Sequence, residues 1–443
     1  MSRRLGVVVA AAAIAILPAA ARANSSEDIL GLSARTSALG GAGTALVGDF
    51  SAAYYNPAGL ALCREQMLGV DVRHVYYRLR TTRDAASTAD QPENPTNYTR
   101  LTAGLCIRLP YDLSFGTMLG LGVRELLTET LSSQNTSPRF PLYGHSTEQM
   151  TLLLALAWRP KPWLAVGAGV SIFLDGSIPF NLRAPIAVAD PNDPTQLEPL
   201  DLDLDLHMYP KVAPYLGVMV EPRPHLRLGV AYRDPLYSEF EVRPTVAVKL
   251  AGLDLLIPVL VQAIGWYSPR QFAFGASGEP ATRVTVTGDV TWYNYGALAA
   301  TPYPFLSVTP ATSDDGITSQ IGFPRVENPG WKNAWAVRAG GELRVLDEHV
   351  ALRAGYALKT SALNTPAESS NVNLLDGVVH SFTFGVGYSA RGPTDRSPNA
   401  QRASFALDTF FRASAMADQR DDAKQLSFGG TMFDAGVAAS MGW

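Results

Sequence analysis

Apolar and polar side chains alternate over much of the chain, the period-two pattern of strands with one face in grease and the other in water. Along Arg283–Tyr293 one face reads Val284, Val286, Gly288, Val290 and Trp292, and the other Arg283, Thr285, Thr287, Asp289, Thr291 and Tyr293. In Trp331–Val345, Trp331, Trp335, Val337, Leu343 and Val345 oppose Lys332, Arg338, Glu342 and Arg344. His349–Lys359, Leu226–Arg233 and Ser381–Ser389 follow the same rule. The pattern predicts fourteen strands, over 66–80, 98–109, 112–126, 146–159, 162–174, 204–220, 225–243, 269–278, 282–294, 331–345, 348–360, 378–390, 402–414 and 426–443. Pro235 inside 225–243 predicts two strands there or one kinked strand.

Connection lengths also alternate. Short links carry Pro110-Tyr111-Asp112, Pro160-Lys161-Pro162, Glu221-Pro222-Arg223-Pro224, Gly278-Glu279-Pro280 and Leu346-Asp347-Glu348. Between them lie long stretches near 81–97, 128–145, 176–202, 244–268, 296–330 and 361–377, too many for a compact soluble sandwich. Tight turns at one end and long loops at the other predict an all-β fold, a transmembrane antiparallel barrel. The last segment places Phe433, Ala435, Val437, Ala439, Met441 and Trp443 on one parity, as a final, lipid-facing strand requires.

Composition narrows the class. With 36 Lys+Arg against 40 Asp+Glu, the net charge of −4 argues against nucleic acid as a partner. Arg3 and Arg4, the apolar run Leu5–Leu17 and Ala21-Arg22-Ala23 read as a secretory signal peptide over 1–23. No later segment reaches a spanning helix, since Leu250–Trp266 is broken by Asp254, Pro258 and Gln262.

Residues 24–65 depart from the strand pattern. They hold the Gly/Ala-rich run Ser37–Ala45 and then Ser51-Ala52-Ala53-Tyr54-Tyr55-Asn56-Pro57-Ala58-Gly59-Leu60. This resembles the N-terminal hatch of the FadL family, outer-membrane transporters of long-chain fatty acids and other hydrophobic molecules, including aromatic hydrocarbons. Leu228-Gly229-Val230-Ala231-Tyr232-Arg233-Asp234-Pro235, Asp289-Val290-Thr291-Trp292 and Arg353-Ala354-Gly355-Tyr356 extend the resemblance in the same order along the chain. It implies a hatch over 24–65 within a barrel over 66–443, in the bacterial outer membrane. A hydrophobic ligand would bind an outer groove, pass to a lumen site and leave past the hatch, sideways into the membrane. Asn56, Pro57, Ala58, Gly41 and Gly43 are the hatch and gating candidates, with an ordinary turn as the plainer alternative. The expected partners are that ligand, outer-membrane lipid and lipopolysaccharide, and the barrel-assembly machinery, with the channel a monomer.

The segment Val246–Trp266 is too apolar for a loop that only faces water. It is expected to form a helical hairpin or lid lining the groove through Leu255, Leu256, Val259, Leu260, Ile264 and Trp266. A carboxylate ligand needs a buried cation, and Arg338, Arg353, Arg227, Arg233 and Lys332 carry lumen parity. Arg338 and Arg353 are the contact candidates, against the alternative that each pairs with Glu342, Asp289 or another interior acid. Asp201, Asp203 and Asp205 near Asp190, Asn192 and Asp193 match no calcium loop, and a solvated strand face is the simpler reading. Cys63 and Cys106 fall near one end of the first two strands, where a disulfide is geometrically possible and two free thiols are the expected state. Nothing resembles a nucleophile elbow, a Walker loop or a His-Glu-x-x-His motif, so no catalytic residue, metal or cofactor is expected. A general porin or a structural barrel remains the alternative to a hydrophobic-compound channel.

Overall fold

A computed structural model of the chain describes residues 22–23, 26–63, 65–84, 94–122, 138–144, 150–173, 176–190, 193–208, 211–242, 245–250, 253–299, 305–308, 321–322, 330–364, 374–391, 404–422 and 425–443, with side chains outside 22–27, 176–208, 238–266, 299 and 305–322. Fourteen antiparallel strands close into one barrel. They are β1 Met67–Arg83, β2 Tyr98–Arg108, β3 Leu113–Gly122, β4 Thr151–Lys161, β5 Leu164–Phe173, β6 Lys211–Arg223 and β7 Leu226–Arg233. The other half is β8 Gln271–Ala281, β9 Val284–Tyr293, β10 Ala334–Val345, β11 Val350–Lys359, β12 Val379–Arg391, β13 Ser404–Asp421 and β14 Leu426–Gly442. Pairing runs from Met67 opposite Gly442 to Arg83 opposite Leu426, which closes the last strand on the first and leaves no edge in lipid.

The alternation sorts the two faces as barrel closure demands. Val286, Val290, Trp335, Val337, Leu352, Phe382, Phe384, Val386, Val437 and Met441 are exposed on the outside, while Asp71, Asp289, Glu342, Arg353, Thr383, Arg412 and Asp434 are buried inside. A polar interior within an apolar band is the outer-membrane arrangement.

The segment 225–243 is two strands, one of the two expected arrangements, because Pro235 has no amide hydrogen for the ladder; β7 ends at Arg233 and a separate strand runs Leu236–Val242. Three details differ from the sequence reading. The expected strand 204–220 splits between a hairpin, Gly176–Asp190 with Asp193–Met208, and β6. The expected helical hairpin over 246–266 is extended: Leu253–Ser268 pairs with Thr245–Leu250 and Leu236–Val242, and further with Phe305–Val308. A mostly apolar run suits a strand as well as a helix, so its period could not decide. Trp331 and Lys332 precede β10 rather than forming its two faces; Trp331 bridges to Leu363 and stacks on Tyr295, and Lys332 is exposed rather than lumenal.

The N-terminal segment packs inside. It comprises α1 Ser26–Leu30, α2 Ala34–Ala38, α3 Ala52–Tyr55 and a 3-10 turn Pro57–Leu62. Nearly all its described residues are buried, and it meets strands around the whole wall. The Cys63–Cys106 disulfide ties its end to β2. Toward the long-loop mouth, Phe140, Leu142, Tyr143, Tyr295, Leu298, Trp331, Leu363, Leu374 and Leu375 fold inward as a second apolar layer. Residues 1–21 lie outside the described residues, and Arg22–Ala23 pairs in parallel with Trp266–Tyr267.

Candidate functional site

The N-terminal segment sits on wall glycines. A Cβ on Gly167 would lie 2.4 Å from the Ala58 amide nitrogen and the Pro57 carbonyl carbon, and one on Gly217 would lie 2.0 Å from Asn56 Oδ1. Gly229 and Gly275 face Thr44, Gly340 faces Leu39, Gly355 faces Gly40, and Gly69 and Gly104 clasp the Phe50 ring. Any side chain at these positions would push the segment off the wall.

Asn56 locks the turn. Its Oδ1 accepts from the Ala58 amide at 3.1 Å, capping the 3-10 turn with Pro57 at the first position, where a missing N–H costs nothing. Its Nδ2 donates to the Thr44 carbonyl at 2.9 Å and to Val218 of β6 at 3.2 Å. One buried side chain thus joins turn, glycine-rich segment and wall. Gly41 and Gly43 are space-critical. A Cβ on Gly43 would strike the Tyr55 ring at 2.6 Å, and Gly41 adopts φ +86° over the Arg338 stem. The Gly43 amide, the Thr44 amide and the Thr44 hydroxyl all donate to Asp289 Oδ2, at 2.8, 2.9 and 2.8 Å.

On the neighbouring strand, β10, lies an ionic anchor. Arg35 reaches Glu342 at 3.1 Å, and Glu342 also receives Arg353 at 2.7 Å and Arg344 at 3.1 Å. The Glu342 carboxylate holds the Arg35 guanidinium well above its ordinary pKa, so the N-terminal side of this contact stays charged. Arg353 further pairs with Asp408 at 2.6 Å. Both of its acid partners lie within ion-pair distance, and Arg353 lines neither of the two cavities that flank Asp28–Gly31.

Two cavities flank the Asp28–Gly31 stretch. The larger, about 40 Å³, is lined by Tyr54, Tyr55, Tyr215, Tyr232 and Tyr293 and by Arg233, Gln271, Asp289 and Arg338. The smaller, about 10 Å³, runs from Asp28, Ile29 and Leu30 to Ala336, Leu358, Val379 and Met432, and Arg338 borders it as well. Arg338 donates to Thr291 Oγ1 at 2.8 Å, Tyr293 OH at 2.7 Å and the Asp28 carbonyl at 3.3 Å. All three acceptors are neutral, and among the described residues Arg338 forms no ion pair. Arg233 instead donates to the Tyr54 carbonyl at 2.5 Å, lies 4.4 Å over the Tyr54 ring and reaches Asp28 Oδ1 at 3.9 Å. Tyr55 closes the floor: its hydroxyl donates to the Leu32 carbonyl at 3.0 Å and accepts the Leu32 amide at 2.7 Å, and burial pushes its pKa up to about 12.

Of the groove candidates, Leu255, Leu256, Val259, Leu260, Ile264 and Trp266 lie outside the residues whose side chains are described. So do Asp190, Asp193, Asp201, Asp203 and Asp205; Asn192 falls outside the described residues altogether. Arg227 reaches Glu221 at 4.0 Å, near the short-turn end, away from both cavities. Sequence reasoning missed Asp28, Tyr54, Tyr55 and Gln271. Their only signal was that aromatic and amide side chains recur where a glycine-rich segment would meet the wall.

A closed barrel with apolar exterior, polar interior and a lumen filled by its own N-terminus defines an outer-membrane channel. The profile described as "Outer membrane protein transport protein (OMPP1/FadL/TodX)" matches residues 10–398, and the chain belongs to that family. Three solved structures share the fold. A Pseudomonas aeruginosa FadL homologue is 16% identical, with TM-score 0.56 over 96% of this chain and 98% of its own. The Ralstonia pickettii toluene transporter TbuX is 16% identical, with TM-score 0.54 over 94% and 99%. The P. putida toluene transporter TodX is 13% identical, with TM-score 0.54 over 94% and 99%. No curated protein matches the sequence. The chain is therefore a bacterial outer-membrane channel for hydrophobic compounds and not an enzyme.

Proposed function

We propose that this channel takes up long-chain fatty acids passively, with residues 24–65 acting as its hatch. The carrying observation is Arg338, a guanidinium on two cavities whose partners are all neutral oxygens. A partly buried guanidinium hydrogen-bonded only to neutral oxygens, with Asp289 as a more distant charge, has donors that a ligand carboxylate engages through charge-assisted hydrogen bonds. The alkyl chain would lie along Ile29, Leu30, Ala336, Leu358, Val379 and Met432 of the smaller cavity. Ligand would arrive through the outer groove under 245–268 and leave past the turn at Asn56, Pro57 and Ala58, sideways into the membrane as the family resemblance implies. Gly41 and Gly43 let the hatch backbone approach Arg338 and Tyr55 closely enough to seal the path.

A second reading, uptake of monoaromatic hydrocarbons, draws support from the five tyrosine rings of the larger cavity. Displacement of a fluorescent fatty-acid probe from the purified barrel tests both. Saturable displacement by hexadecanoic acid, weakened by Arg338→Gln and unchanged by Arg353→Gln, supports fatty-acid uptake. Displacement by toluene alone supports the second reading, and displacement by neither overturns both.

A further inference from the structure

The Asp28 carboxylate, on α1, is buried inside a ring of donors that converge on it from four separate places. Gln271 Nε2 donates to Oδ1 at 2.7 Å, Tyr54 OH to Oδ1 at 3.0 Å and Ser268 Oγ to Oδ2 at 3.0 Å, with Arg233 Nη1 3.9 Å from Oδ1. Three of these donors, Tyr54, Arg233 and Gln271, line the larger cavity. A cation, an amide N–H and two hydroxyls aimed at one point make a carboxylate seat, and here the resident acid belongs to the chain itself. Its main chain meets the other cavity cation, since the Asp28 carbonyl accepts from Arg338 at 3.3 Å and from Tyr293 OH at 2.9 Å.

The attachment of this acid is local. Helix α1 spans only Ser26–Leu30, and the backbone turns directly after it through Gly31 at φ +71° and Ser33 at φ 64°. The seat itself is built on the wall at Gln271 and Arg233, on Ser268 just before β8, and on Tyr54 of α3, so it persists wherever α1 lies.

We propose that Asp28 is a built-in surrogate head group: it occupies the Arg233–Gln271–Tyr54–Ser268 seat in place of a ligand carboxylate and thereby sets the channel's preference between acids and uncharged hydrophobic molecules. With Asp28 in place, an incoming acid finds one cation, Arg338, that forms no ion pair among the described residues, and must compete for the second. A neutral hydrocarbon or alcohol does not compete for either. The residue acts as a specificity determinant because it taxes acids and spares neutral ligands of the same length.

This inference rests on the fatty-acid reading, and the test separates the two. Equilibrium binding of radiolabelled hexadecanoic acid and of hexadecan-1-ol is measured on the detergent-purified full chain, on Asp28→Asn, on Asp28→Glu and on the double variant Asp28→Asn/Arg233→Gln. The expected result is acid binding tightened about tenfold or more by Asp28→Asn, unchanged alcohol binding, and loss of the gain in the double variant. Asp28→Glu keeps the competing charge and leaves the acid close to the original affinity. Acid affinity unaltered by Asp28→Asn overturns the proposal, as does equal tightening of acid and alcohol, which would mean only a loosened α1. Unchanged alcohol affinity certifies that the variants are folded. Failure of the unsubstituted chain to bind the acid at all overturns the fatty-acid reading instead.

Discussion

Replacing Asn56 by Ala removes three hydrogen bonds at a fully buried position. Loss of the cap on the Ala58 amide costs about 1 kcal/mol. The Thr44 carbonyl loses its Nδ2 partner in a dry interface, worth about 1–3 kcal/mol, while Val218 belongs to the barrel ladder and adds little. Together these destabilise the seated turn by about 3 kcal/mol, roughly two powers of ten in the population of the detached state. Native-state hydrogen exchange at the Ala58 and Gly59 amides reads that population directly, because both are protected only while the turn holds. Asn56→Asp is the sharper variant. It keeps the acceptor for Ala58 but sets a carboxylate oxygen against the Thr44 and Val218 carbonyls, so acceptor meets acceptor and exchange should accelerate at least as much. Exchange within threefold of the original in both variants, with the barrel intact, would refute the assignment of Asn56 as the lock.

Three further outcomes are expected. The Cys63–Cys106 bridge spans a sequence separation of 43, so Cys63→Ser/Cys106→Ser should cost about 4 kcal/mol, read as a lower guanidinium midpoint for refolding into micelles; an unchanged midpoint would show that packing alone holds the segment. Glu342→Gln leaves Arg35, Arg344 and Arg353 without their shared acid, and limited proteolysis between Ser26 and Tyr55 should become salt-sensitive; cleavage that stays slow at all salt concentrations would argue that this anchor contributes nothing. Tyr55 has an ordinary pKa of 10.0 raised by burial to about 12, so its contribution to hatch stability is complete below pH 10 and falls as pH rises toward 12. Tyr55→Phe should abolish that part of the alkaline loss, measured by fluorescence of a probe on the hatch, and identical profiles for the two proteins would contradict it.

The barrel was legible because lipid and lumen impose opposite polarity on successive residues, so each of its strands wrote its own period. The packing of the N-terminal segment against the wall left a different signal: a segment that must pass backbone against wall can carry only small residues, as Gly40, Gly41, Ala42 and Gly43 do. The wall half of that contact stayed hidden. Gly167, Gly217, Gly229, Gly275, Gly340 and Gly355 each look like an ordinary weak spot in a strand, and only pairing, which places Gly167 opposite Gly217 and Gly340 opposite Gly355, turns them into a belt. The site failed in a similar way. Lumen parity placed Arg338 and Arg353 on the inner face, yet parity cannot say which cation an interior acid will take, and Glu342 and Asp408 pair with Arg353. Asp28 could not be singled out because its four partners come from chain positions far apart.

The lumen filling is held by different forces on its two sides. Against β2 to β6 it is dry: Phe50, Ala52, Ala53 and Leu60 pack on Cys106, Met118, Leu153, Ala155 and Tyr215, with the disulfide at the edge. Against β9 to β13 and β1 it is polar, through Asp289, Glu342, Thr383 and Arg73, the last donating to the Gly31 carbonyl at 2.7 Å and Ser37 Oγ at 2.6 Å. Separating the dry side exposes apolar surface with nothing to replace it, and the covalent tie limits the travel. Polar contacts can be exchanged for water one at a time, each at a net cost of about 1 kcal/mol. Both cavities border the polar side, at Asp28, Asp289 and Arg338. The contacts of the N-terminal segment that water can replace at least cost are therefore those beside the two cavities.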